Sequence, residues 1–421
     1  MTEMTDDVKM MLGDPRKALL RMSLPLLIAL VVGQLNSFID MFWCSSLGMD
    51  ALAAVGIVSS FCFLLNGVGN GLGMGLSVAM AKRIGAGERD VAGRIAAQGI
   101  VLILAISLVV SPLFLIFADP MISLIGGDVA HAESMAYAYP FLMSAFIMFA
   151  HGVFGGLLRS EGAAKRSMTI MLLSVALNMV LDPLFAFTFG MGIAGLAWAT
   201  VLSTAIAIVP AVYWYFIGRS TYIGIRFNGF RFDGALIKEF LRTGVPKTVE
   251  LNIMSAINLA LVYFLVVCGG PVGVALYNTT WKYVNLLMIP SQALGGGLVP
   301  MGAAAYGGGD MEKVREGYNH SLMLALAITI ASSFVLAFFS EQFAFVFTSS
   351  GSAAGLREEM AHTVRLFSLF VPFYAWINIS SSLLQAIYMA DRSMYSTLVR
   401  NILLIAVFWY TSSIDLEAMW W

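Results

Sequence analysis

Four ionisable residues, Asp40, Asp182, Glu250 and Lys282, stand inside long apolar stretches of a 421-residue chain. In lipid each would cost at least about 2.5 to 3.5 kcal/mol, so each needs a partner or a task. Asn178 and Asp182 are spaced i,i+4 and share one face of a helix. Pro183 follows them, removing a backbone donor and freeing a carbonyl nearby. At a rise of about 1.5 Å per residue, Asp40 on the first apolar stretch, Asp182 on the fifth and Thr200 on the sixth fall within several ångströms of one depth. Two carboxylates, an amide, a hydroxyl and a loosened backbone make an oxygen-rich site. Such a site can hold Na+ or exchange protons, because two close carboxylates in low dielectric do not both stay ionised readily. That chemistry suits ion coupling better than catalysis.

Glu250 and Lys282 lie on the seventh and eighth apolar stretches and admit two readings: a structural ion pair, which lowers the cost of both, or a second ion or substrate site. Asn278, one turn before Lys282, is a candidate for the wall of a central cavity, as are Asn66, Asn70, Asn285, Asn378 and Gln385. No constellation for enzyme chemistry is visible. Three scattered cysteines fit neither a disulfide framework nor a metal site, the four histidines lack i,i+4 pairing, and the Gly-rich runs near Gly67 and Gly295 are not followed by GK[ST]. No cofactor is expected beyond the coupling ion.

The elements that must position these groups follow from composition. With 59% hydrophobic and 12% charged residues, the chain cannot hide its apolar surface in a soluble fold. Apolar stretches long enough to cross about 30 Å of hydrocarbon number eleven, at 22–43, 52–80, 95–118, 134–158, 167–189, 192–217, 239–268, 273–302, 317–340, 361–390 and 393–411. With the N-terminus in the cytoplasm, all but Lys282, Arg357 and Arg365 of the 24 Lys and Arg residues fall on the cytoplasmic side, Arg392 and Arg400 among them. A missed or invented span would break that alternation. The polar start before residue 22 reads as a cytoplasmic lead-in helix. A net charge of -1 gives no footprint for nucleic acid.

The two halves repeat. RMSLP from Arg21 returns as RTGVP from Arg242, and RIGAGERDVAGR from Arg83 as AYGGGDMEKVRE from Ala305, at offsets of 221 and 222 residues. Parallel repeats of this kind place substrate between the halves. The expected architecture is an all-α polytopic membrane protein of two pseudo-symmetric six-helix lobes. Residues 1–217 form the first, 218–238 a cytoplasmic linker, and 239–421 the second, with five helices and the start of a sixth.

Along nearly its whole length the chain resembles the MATE (multidrug and toxic compound extrusion) family. The resemblance rests on NGLGMGLSVAMAKRIGAGERDVAGR, GGLLRSEGAAKRSM, LNMVLDPLFAF and GMGIAGLAWATVLS in the first half and SSLLQAIYMADRSMYSTLVRN in the second. Asp40 and the basic residue in the eighth span look most like the archaeal and DinF-type branches. The repeat offset places a twelfth span near residue 414, of which IDLEAMWW would be only the opening. The resemblance implies a cation-binding site at Asp40, Asn178, Asp182 and Thr200, open to Na+ or H+. It also implies an amide before the first-helix aspartate, for which Gln34, Asn36 and Ser37 compete. Acidic residues on the helix of Glu250 serve NorM-type members. The implied activity is cation-coupled export of amphipathic, cationic organic compounds by a monomeric antiporter among the lipids of a prokaryotic inner membrane. A flippase for a lipid-linked sugar is the alternative, and would need a basic cavity.

Overall fold

The computed structural model describes residues 4–126, 130–227, 229–348, 354–414 and 416. Buried in lipid, a backbone must satisfy its own hydrogen bonds, and helices do this within one segment. Among the described residues the chain is helical without strands. In order the helices are α1 (Asp6–Leu12), α2 (Pro15–Ser46), α3 (Met49–Gly85), α4 (Arg89–Gly126), α5 (His131–Met143), α6 (Ala145–Ser160) and α7 (Ala164–Pro183). There follow α8 (Gly192–Val212), α9 (Gly234–Gly307), α10 (Met311–Phe338), α11 (Ser340–Thr348), α12 (Arg357–Ala386) and α13 (Ala390–Thr411). Among the described residues ten helices are long and apolar enough to cross a membrane, and the α5–α6 pair, bent by 52°, makes an eleventh if counted as one span. The expected span count and order therefore hold.

Local chemistry sets the boundaries. Asp14 caps α2, accepting from the Arg16 and Lys17 amides at 2.9 and 3.1 Å, with Pro15 at the first helical position. Asp233 and Asp310 cap α9 and α10 in the same way. The seventh and eighth spans are the two arms of α9, separate helices that meet at a kink at Gly270, whose φ of 55° and ψ of -151° suit glycine and little else. The tenth span ends at Ala386 rather than 390, because the chain turns through Tyr388 at φ 63° before α13 begins. The lead-in segment is α1, with Val8 and Met11 buried against the main core. The expected opening of a twelfth span lies largely outside the described residues.

The halves meet at the end that carries the basic loops. There α3 and the end of α9 cross so closely that a Cβ on Gly85 would collide with the Ala304 carbonyl, and one on Gly307 with the Lys82 carbonyl. These two glycines are the matched positions of the RIGAGERD and AYGGGDME segments, so the repeat packs against itself about its own axis. Arg83 clasps Glu239 with Nε–Oε1 at 3.1 Å and Nη2–Oε2 at 2.7 Å, and also pairs with Glu88. Lys82 lies over the Tyr388 ring at 4.3 Å. The largest apolar cluster runs through this region, joining Leu19, Met22, Leu76 and Met80 to Leu298, Met301 and Ala304. Toward the opposite end, α3 and the first arm of α9 line a cavity instead.

Candidate functional site

Asp40, Asn178, Asp182 and Thr200 are brought together from α2, α7 and α8. Asn178 Nδ2 donates to Asp182 Oδ1 at 2.7 Å and to Thr200 Oγ1 at 3.3 Å. The Asp40 and Asp182 carboxyls lie within hydrogen-bonding reach of one another. Asn36 completes the cluster. Its Nδ2 donates to Asn178 Oδ1 at 2.8 Å and to both Asp40 oxygens at 3.1 Å, crossing from α2 to α7. Asn36, Asn178 and Asp182 are buried. The three candidates for the amide thus separate. Asn36 enters the cluster, Gln34 lies half-buried outside it, and Ser37 is exposed with its hydroxyl turned back to the Gly33 carbonyl at 3.3 Å.

The backbone loosens beside the site as Pro183 leads one to expect. There α7 passes into a π-helical turn at Leu184–Thr188, closed by Phe189 N–H donating to the Leu184 carbonyl at 2.9 Å. Asn36 Oδ1 is buried and has no hydrogen-bond partner among the described residues. That oxygen and the two carboxyls are the donor set a Na+ ion or a shuttling proton would use, so the residues present fit either ion. Tyr137 on α5 stands within electrostatic range of both carboxyls. Sequence gave no signal for it, since its span is bent at Ser144 and its depth could not be counted from either end.

Glu250 and Lys282 do not pair, which corrects the structural reading of these two residues. Glu250 Oε1 takes Lys247 Nζ at 3.2 Å, one turn back on the same helix, and Gln385 and Ser393 hydrogen-bond Oε2, each at 3.4 Å. An i,i+3 partner needs no tertiary packing to reach it. Lys282 Nζ instead lies 5.8 Å from the centroid of the Phe38 ring on α2, so it faces the other half of the molecule. Asn278 is exposed and outside the cavity. Asn66, Asn70 and Asn285 return hydrogen bonds to their own helices at 2.9 to 3.1 Å, and of these Asn285 lines the cavity.

That cavity, about 400 Å³, lies between α3, the first arm of α9, its second arm, α12 and α13. Its wall carries a run of aromatic rings. Tyr277 stacks on Trp281 at 5.7 Å, Trp281 meets Phe370 at 6.3 Å, and Phe370 meets Tyr374 at 6.1 Å. Arg400, which charge counting placed in the cytoplasm, lines it too. It stands ten residues into α13, which begins at Ala390, or roughly 15 Å along the helix axis. The side rule sorts cations by loop and is blind to one that sits part-way along a span.

Three comparisons bear on this arrangement. The model of the MatE family matches residues 25–184 and 246–411. The chain is 26% identical over 343 residues to a protein named FAD transporter from Shewanella oneidensis, covering 79% of this chain and 74% of that protein. It is 24% identical over 290 residues to the multidrug export protein MepA of Staphylococcus aureus, covering 68% of this chain and 63% of MepA. A solved structure described as the outward-facing conformation of a multidrug resistance MATE family transporter superposes with a TM-score of 0.94. The two are 30% identical, over 99% of this chain and 94% of that one.

Proposed function

This chain belongs to the MatE family of membrane transporters, and from that premise we propose that it is an antiporter that exports amphipathic organic compounds in exchange for an inward-moving H+ or Na+. Members of the family are transporters rather than enzymes, and the chain is an integral membrane protein of that kind. The observation that carries the coupling is the buried cluster of Asn36, Asp40, Asn178, Asp182 and Thr200, in which two carboxyls share one set of polar partners. A cation that binds there in one state of the transporter and not equally in the other drives the conformational cycle. The cytoplasmic ends of the halves are closed on one another and the cavity lies toward the far side, the arrangement from which cargo is released outward.

The branch reading, archaeal or DinF-type, rests on Asp40 and on Lys282 in the eighth span. A monomer in a prokaryotic inner membrane is the matching assembly. The cationic cargo implied by the family resemblance is one of two polarities to be tested, since relatives are named both for multidrug export and for FAD. In proteoliposomes with an imposed pH or Na+ gradient, Asp40→Asn and Asp182→Asn should each reduce dye export to the rate seen with the gradient dissipated, with both proteins inserted normally. Gradient-driven export at the wild-type rate in both variants would sink the assignment. Export driven by one gradient and not the other identifies the ion.

A further inference from the structure

The cavity beside α13 has a polarity that the ion-coupling site does not explain. Arg400 is half-buried in its wall and, among the described residues, has no ion pair and no hydrogen bond. An unpaired guanidinium within a span is costly and needs an anion to complete it. Glu250, which like Arg400 acts electrostatically on Tyr374, is already engaged by Lys247, Gln385 and Ser393. Asn401, next to Arg400 and 5% exposed, also lines the cavity, and its Nδ2 has no acceptor among the described residues. The charged Arg400 and the buried Asn401 amide, neighbours in sequence on α13, therefore both lack an acceptor beside a cavity whose wall holds the aromatic run of Tyr277, Trp281, Phe370 and Tyr374.

We propose that this cavity is the binding site for an aromatic organic anion, its acidic group held by Arg400 and Asn401 and its ring system packed on the Tyr277–Trp281–Phe370 wall. The site names the cargo class of the export activity proposed above and rests on that reading. Guanidinium offers a planar fork of donors matched to a carboxylate, sulfonate or phosphate. Stacked rings select flat apolar bodies with little regard for substituents. A volume of about 400 Å³ falls in the range of small-molecule sites and suits a molecule of a few fused rings. A cationic cargo would meet an uncompensated Arg400. A lipid diphosphate, with a flexible aliphatic tail, would have no use for the rings.

Fluorescein, an aromatic dianion, and rhodamine 6G, a cation on a similar ring system, separate these cases. Binding of each to the purified full chain in detergent is followed by fluorescence polarisation at pH 8, without any gradient. Fluorescein should bind saturably, Arg400→Gln should weaken it by at least about tenfold, and Arg400→Lys should restore part of the loss. Asn401→Leu should weaken fluorescein several-fold and leave rhodamine 6G unchanged. Fluorescein affinity that survives Arg400→Gln in the folded protein, rhodamine 6G binding tighter than fluorescein in the wild type, or displacement of fluorescein by farnesyl diphosphate at equal concentration would each overturn the proposal. Because binding is read at equilibrium, failure of gradient-driven export would remove the antiporter reading and leave this result standing. Rhodamine 6G export with no fluorescein binding would remove the anion site alone.

Discussion

At the scale of single residues, the ion-coupling cluster shows what a spacing argument can and cannot resolve. Asp40, Asn178, Asp182 and Thr200 could be chosen from sequence because each is a polar group at a similar depth in lipid, and the cost of placing it there is a local property. The fifth member could not. Gln34, Asn36 and Ser37 differ by about 100° of helix rotation per residue, and only the packing of α2 against α7 decides which one faces Asn178. Asn36→Ala should therefore cut gradient-driven export by about tenfold or more, since it removes the bridge between the two aspartate helices and leaves Asn178 Oδ1 without a donor. Gln34→Ala and Ser37→Ala should stay within about twofold of the wild type. Initial rates in proteoliposomes at matched protein density distinguish these outcomes, and equal losses in all three variants would contradict the geometry.

Among the elements, the linker after α8 depends on one buried acid outside the spans. Glu161, in the turn after α6, accepts the Tyr222 amide at 2.7 Å, the Tyr215 hydroxyl at 3.1 Å and the Ile223 amide at 3.4 Å, and so pins the start of the linker to the first half of the molecule. Burial pushes its carboxyl up from 4.5 to about 7, against the pull of those hydrogen bonds and of Arg166. The folded protein thus holds this proton more tightly than the unfolded chain does. The stabilisation is complete below about pH 4.5 and is lost as pH rises through about 7, a change on the order of 3 kcal/mol. The melting temperature of the detergent-solubilised protein should fall between pH 5 and 8, and Glu161→Gln, which stays neutral throughout, should flatten that slope. Identical slopes in the two proteins would show that another group sets the pH dependence.

For the whole molecule, closure of the end that carries the basic loops rests on the crossing of α3 and α9, where Gly85 and Gly307 allow two backbones to touch. Gly85→Leu should hold the halves apart there, raising maleimide labelling of a cysteine introduced at Ala304 by about tenfold while slowing export. Unchanged labelling in a folded variant would mean that closure does not depend on this contact. The sequence by itself determined the number and order of the apolar spans and the residues whose charge lipid would not tolerate. Each is fixed by a transfer cost that sums along a local stretch, so no knowledge of neighbours is needed. The tertiary structure alone decided which polar groups meet: Asn36 with Asn178, Glu250 with Gln385 and Ser393 rather than Lys282, and Arg400 with the aromatic cavity. Those meetings depend on how far each helix is rotated about its axis and where it crosses the next. Apolar surface that packs equally well against lipid or protein leaves both angles undetermined until all the helices are assembled.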